Sequence, residues 1–153
     1  MPSDTEERRR RLAPGFGAGV TEAMIHELVH AFYAQVRRDP ALGPIFNRVV
    51  RDWDDHLAKL CDFWSSVTLM TGRFKGAPMA VHAQLPDIRP THFARWLHLF
   101  RQTAEAVCPP EAAALFVAKS EIIAESLQLG IAAHRGAWPP PQLRPARPDA
   151  GEV

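Results

Sequence analysis

Histidines are the residues in this chain whose spacing could do chemistry. His26-Glu27-Leu28-Val29-His30 reads literally as HExxH. On a helix, two imidazoles four residues apart share a face and can hold zinc while the glutamate serves as general base. The surrounding apolar positions (Met24, Ile25, Leu28, Val29, Phe32 and Val36) centre the hydrophobic face elsewhere. His26 and His30 fall more than a quarter-turn from that centre, with Glu27 farther still, and no downstream residue stands out as a third ligand. The pentapeptide therefore reads as a solvated helix face, and a zinc hydrolase is the remote alternative. His56 is different, because it falls among Trp53, Leu57, Leu60, Phe63, Trp64 and Val67. His82 sits in a short stretch bracketed by Pro78 and Pro86. Two imidazoles facing a shared apolar space could grip the two faces of a flat iron cofactor. Phe32, Phe46, Phe63, Trp64, Phe74, Phe93 and Trp96 supply aromatic area to line such a slot. The plainer reading stays open at this point: a core histidine, a loop histidine and an ordinary aromatic core.

Several helices must position these residues. Thr21 is placed to cap a helix over Glu22–Arg37, with Tyr33 at the border of its apolar stripe. Asp39-Pro40 and Gly43-Pro44 break the chain around a short turn carrying Ile45 and Phe46. The next amphipathic stretch runs from Asp52, whose carboxylate is placed to cap it together with Asp55, to Met70, and Gly72 suits its stop. Arg73 to Gly76 is a loop too mixed to assign, and Met79 to Ala83 can make little more than one turn before Pro86. Pro90 can open a third helix, which buries Phe93, Trp96, Leu97, Phe100, Ala104 and Val107 and turns His98 outward. After Pro109-Pro110 a last helix runs over about Glu111–Ala133, with Leu115, Ile122, Ile123, Leu127 and Ile131 at helical spacing. No window alternates as a strand would, so the fold class is all-α. Residues 1–19, charged and then rich in Gly and Pro, read as a mobile leader. Residues 20–136 form the domain, and 137–153 a Pro-rich tail without fixed structure.

At 153 residues the chain is long enough to bury one real core. A net charge of +1, with no basic patch interleaved with aromatics, gives no reason to expect nucleic acid. The basic run Arg8 to Arg11 has no apolar segment behind it, so neither a signal peptide nor a membrane span is read, and the expected location is the cytoplasm. Cys61 and Cys108 make neither CxxC nor CxxCH, which argues against a zinc ribbon, thioredoxin chemistry and covalently attached haem; reduced buried thiols are expected. No GxGxxG is present, so any turnover would draw on an external electron donor.

Read together, Phe32-Tyr33, Asp39-Pro40-Ala41-Leu42-Gly43-Pro44-Ile45-Phe46-Asn47, Trp53-Asp54-Asp55-His56 and Phe63-Trp64 resemble the truncated haemoglobins. Gly76-Ala77-Pro78 to His82, and His92-Phe93 through Trp96-Leu97 to Phe100, resemble the group III subfamily. The likeness spans roughly residues 22 to 133. It implies a shortened globin fold, a two-over-two helical sandwich around haem b (iron protoporphyrin IX). By position, His82 matches the proximal iron ligand, Tyr33 and Trp96 the distal hydrogen-bond donors, and His56 the distal-helix histidine. His56 could gate ligand access, donate to the ligand, or coordinate iron itself. Phe32, Phe46, Leu60, Phe63, Phe74 and Phe93, with His56 and Trp96, are expected against the cofactor, and Arg51, Lys59, Arg73 and Lys75 are candidates for its propionates. The implied function is reversible binding of dioxygen, nitric oxide and carbon monoxide, serving nitric oxide or oxygen redox chemistry such as nitric oxide dioxygenation or a peroxidase-like reaction. The alternatives are a sensor or store without turnover, and a helical scaffold without cofactor.

Overall fold

The computed structural model describes residues 3–76 and 88–134. His82, the expected iron ligand, lies outside the described residues, as do the one-turn segment around it and the Pro-rich tail. The described elements are α1 (Asp4–Leu12), α2 (Pro14–Gly17), α3 (Glu22–Arg38), α4 (Gly43–Val49), α5 (Trp53–Leu69), α6 (Pro90–Val107) and α7 (Pro110–His134). No helix among them is long and apolar enough to cross a membrane.

The long helices begin where local chemistry allows. Thr21 Oγ1 accepts from the Met24 amide at 3.2 Å to cap α3, and Asp52 Oδ1 accepts from the Asp55 amide at 3.2 Å to cap α5. Pro90 stands at the first turn of α6, where its missing N–H is no loss. The stop of α5 differs from expectation. Met70, two residues before Gly72, takes the left-handed conformation (φ 55°, ψ 36°), and the Arg9 guanidinium donates to the terminal Leu69 carbonyl at 3.0 Å. A cation on the last carbonyls offsets the helix dipole and helps hold a non-glycine residue there.

That arginine comes from the segment expected to be a mobile leader. Residues 4–12 are instead helical, with Ser3 capping, Asp4, Glu6 and Glu7 in the first turn and Arg9 to Arg11 in the last. Opposite charges at opposite ends suit the dipole. Gly15 lets the following turn press on α5, since a Cβ there would meet the Thr68 carbonyl oxygen at 2.6 Å.

The architecture is a two-over-two sandwich. α3 packs against both α5 and α6, and α6 pairs with α7 through the short Cys108–Pro109 connection. Rings tie the layers together. Trp64 of α5 stacks on Phe100 of α6 (centroids 5.2 Å, 13°), which stacks in turn on Trp96 (5.4 Å, 7°). Phe32 of α3 meets Phe100 and Trp96 edge-on at 5.1 and 5.2 Å, and Phe116 of α7 meets Trp64 at 5.6 Å. Edge-to-face and near-parallel arrangements are those that ring quadrupoles favour. In α7 the expected stripe holds at Ile131, which is buried, and at Ile123 and Leu127, which pack against the core. Ile122 is 58 % exposed and Leu115 only half-buried, while Ala112, Ala113, Phe116, Ser120 and Ala124 face inward. Small side chains let α7 approach α6 closely, a preference that apolar periodicity alone does not reveal. Cys61 and Cys108 are free thiols, and burial together with nearby Glu27 pushes Cys108 up to about 11.

Asp39 locks the corner between α3 and α4. One carboxylate oxygen accepts from the Ala41 and Leu42 amides at 3.0 Å each, and the other from the Arg95 guanidinium at 2.9 and 2.8 Å. Gly43 is required just beyond, because a Cβ would stand 2.7 Å from the Arg37 carbonyl oxygen. Burial by itself raises the Asp39 carboxyl, but the bonds from Arg95, Leu42 and Ala41 and the charge of Arg95 outweigh it and hold the group below the usual carboxylate value. A folded-state value below the unfolded one means that this stabilisation is complete above about pH 4 and fades as pH falls through the depressed value. Urea midpoints measured down this range are expected to decline in the parent chain and to decline less steeply in Asp39→Asn.

Candidate functional site

Between the two layers lies a cavity of about 660 Å³. Tyr33 from α3, Phe46 from α4, His56, Leu60, Phe63 and Trp64 from α5, and Phe93 and Trp96 from α6 face it. Its far wall is Ile88 with Ile123, Ala124 and Leu127 of α7. The walls are apolar, and the charged lining residues are Lys59, Asp62, Arg73 and Lys75. Lys59, Arg73 and Lys75 are exposed, which puts positive charge where the cavity meets solvent.

Sequence position and spatial position agree for most expected residues. Tyr33, Phe46, His56, Leu60, Phe63, Phe74, Phe93 and Trp96 all face the cavity. Phe32 does not; it is buried one layer behind, where its ring backs Tyr33 at 4.7 Å and Trp96 at 5.2 Å. Of the four expected rim cations, Arg51 is not among the lining residues. Ile88, which precedes α6, went unrecognised, as did Ile123, Ala124 and Leu127, whose contribution depends on how α7 is turned toward the cavity. His92 was missed too. Its Nδ1 accepts from the Arg89 amide at 2.9 Å, so in the neutral ring the proton sits on Nε2 and His92 presents a donor rather than a lone pair. The three-residue offset from Arg89 was the available signal.

The loop after α5 reaches the cavity because a polar network pins it. Ser65 Oγ donates to Glu22 Oε1 at 2.6 Å and lies 2.7 Å from Thr71 Oγ1, while Arg73 pairs with Glu22 at 3.3 Å. Ser66 Oγ accepts the Phe74 amide at 2.9 Å, and the Phe74 ring then lies edge-on to Phe63 at 5.3 Å. Helix geometry places Ser65 and Ser66; only the fold brings Glu22 alongside.

Tyr33 is the polar centre of the apolar side. Its ring sits 5.9 Å from Phe46, 6.1 Å from Trp53 and 6.0 Å from His56. Burial raises its hydroxyl to about 12, partly offset by a hydrogen bond with Trp96. An indole N–H can only donate and a neutral phenol also has a proton to give, so both rings can serve an acceptor in the cavity. As Tyr33 is the only tyrosine in the chain, an ultraviolet titration reads it directly. Phenolate is expected only near pH 12 in the native protein and near ~10 after unfolding in urea. The sign follows: stability is intact below about pH 10 and declines between the two values, because the unfolded chain loses the proton first. His26, Glu27 and His30 are exposed on the other side of α3, and among the described residues no group of three or more His, Cys, Asp or Glu could hold a metal ion.

A flat apolar prosthetic group with acidic edges fits this site. The volume lies in the range of small-molecule pockets, aromatic rings line it, paired donors face one side and cations stand at the rim. No protein-family model matches the chain. The chain is 32% identical over 113 residues to the group 3 truncated hemoglobin ctb of Campylobacter jejuni, covering 71% of this chain and 89% of that protein. The crystal structure of a group III truncated hemoglobin from Campylobacter jejuni superposes with a TM-score of 0.68 at 32% identity, over 71% of this chain and 89% of that one. With that kinship, and with a two-over-two helical sandwich enclosing an apolar cavity, the chain belongs to the group III truncated haemoglobins.

Proposed function

We propose that this globin holds haem b in the cavity with His82 as the iron ligand, binds dioxygen, nitric oxide and carbon monoxide, and serves nitric oxide or oxygen redox chemistry. The observation that carries this reading is that Tyr33 and Trp96 line one otherwise apolar cavity together. Haem, when bound, supplies a ferrous iron that takes diatomic ligands and that an external electron donor keeps reduced. Tyr33 and Trp96 each carry a proton that an acceptor in the cavity can take, the phenol O–H and the indole N–H. Because Tyr33 stays protonated far above neutral pH, it acts as a donor throughout the physiological range. Packing of Phe32 behind both rings holds the pair in place, so little reorganisation accompanies the arrival of partial negative charge. Phe63, Phe74 and Phe93 exclude water from the same space. Lys59, Arg73 and Lys75 are placed to meet the propionates, with Lys59 also tied to Asp55 at 2.9 Å and Arg73 to Glu22.

The test is an absorption spectrum of the full chain as purified, then reduced, then under carbon monoxide. A Soret band that shifts at each step is expected. In His82→Ala, stoichiometric haem is expected to be lost and to return with added imidazole. A parent chain that takes up no haem, or an alanine variant with an unchanged Soret band, would sink the proposal.

A further inference from the structure

His26 and His30 project from the exposed side of α3, away from the cavity. Their rings already lie together, with centroids 3.9 Å apart and planes within 20°. Nδ1 of His30 is 2.9 Å from the His26 carbonyl oxygen. A carbonyl only accepts, so Nδ1 carries the hydrogen, and the lone pair of the neutral ring is on Nε2, directed away from the backbone. Metal-bound histidines are oriented in the same way, with the second ring nitrogen donating to a carbonyl or carboxylate.

We propose that His26 and His30 form a bidentate surface site for a borderline divalent transition cation, copper(II) in preference to nickel(II) or zinc(II). Imidazole suits these metals, and their affinity for a given nitrogen site peaks at copper(II). Bringing both lone pairs onto one ion requires the exposed His26 ring to leave the stack by rotating about its Cβ–Cγ bond, a broad torsion, while His30 keeps its Nδ1–carbonyl bond. The helix beneath them is 17 residues long and does not need to move. Water fills the remaining positions, which makes the site exchangeable and unlike a closed structural or three-ligand catalytic zinc centre.

The test uses the untagged, full-length ferric haem-loaded protein, titrated with copper(II) sulfate and followed by calorimetry and by electron paramagnetic resonance. One tight equivalent is expected, with superhyperfine structure from two nitrogens. His26→Ala and His30→Ala are each expected to weaken binding by at least about tenfold, the lower bound for losing even an outer partner of a metal ligand. The Soret band is expected to stay unchanged, so this outcome is separable from the behaviour of the cavity. Zinc(II) chloride is expected to bind the same pair more weakly. The site is overturned if the double variant binds the first equivalent of copper as the parent does, or if the parent lacks the two-nitrogen signal.

Discussion

Truncating Phe100 to alanine is expected to lower the free energy of unfolding by about 3–5 kcal/mol. A domain of this kind has only about 5–15 kcal/mol in total, so the variant would stand near the edge of folding. The magnitude follows from position. Phe100 is 1 % exposed and is the middle ring of the Trp64–Phe100–Trp96 stack, with Phe32 edge-on against it. No neighbour can collapse into the space without giving up one of these contacts, so the cavity term adds to the lost transfer energy. Urea unfolding, followed by the tryptophan rings that lose their partner, measures it. Phe100→Leu keeps most of the volume and is expected to lose much less. A Phe100→Ala loss below about 1 kcal/mol, inside the ordinary range for point mutants, would mean that the stack does not hold the layers together. The effect should also reach the functional side, because Trp96 loses the ring that backs it while its indole still has to meet Tyr33.

Tyr33→Phe is the second large expectation, and it reads function more than stability. The substitution keeps the ring and its contacts with Phe32, Phe46 and His56 while removing the oxygen. If the phenol O–H donates to a bound ligand carrying partial negative charge, its loss removes about 1–3 kcal/mol. Dioxygen release from the haem-loaded protein should then accelerate by roughly 5- to 150-fold. Carbon monoxide carries less charge at its far atom and should respond less. Stopped-flow displacement with each gas separates the two. Equal, small changes for both gases would assign Tyr33 to packing alone. The same measurement bears on function, since slow dioxygen release in the parent chain suits chemistry at the iron and rapid release suits a store or sensor.

The amino-acid sequence alone determined the four long helices and most of the cavity's face. Apolar spacing in α3, α5 and α6, with Thr21, Asp52 and Pro90 at their starts, is a local property of the chain and is legible without a fold. Tyr33, His56 and Trp96 could be named from neighbouring residues in order along the chain, and the cavity then received all three. What local pattern could not contain was decided in three dimensions. The helix over residues 4–12 meets α5 where Arg9 donates to the Leu69 carbonyl, and the turn after it presses Gly15 on the Thr68 backbone. In α7, Ala112, Ala113 and Ala124 are buried while Ile122 is 58 % exposed. Phe32 backs the donor pair instead of lining the cavity, and the loop bearing Phe74 is held by Ser65, Ser66 and Glu22. Each of these depends on groups brought together from distant parts of the chain. Periodicity reports only which face of a helix is buried; what that face meets is decided when the layers close.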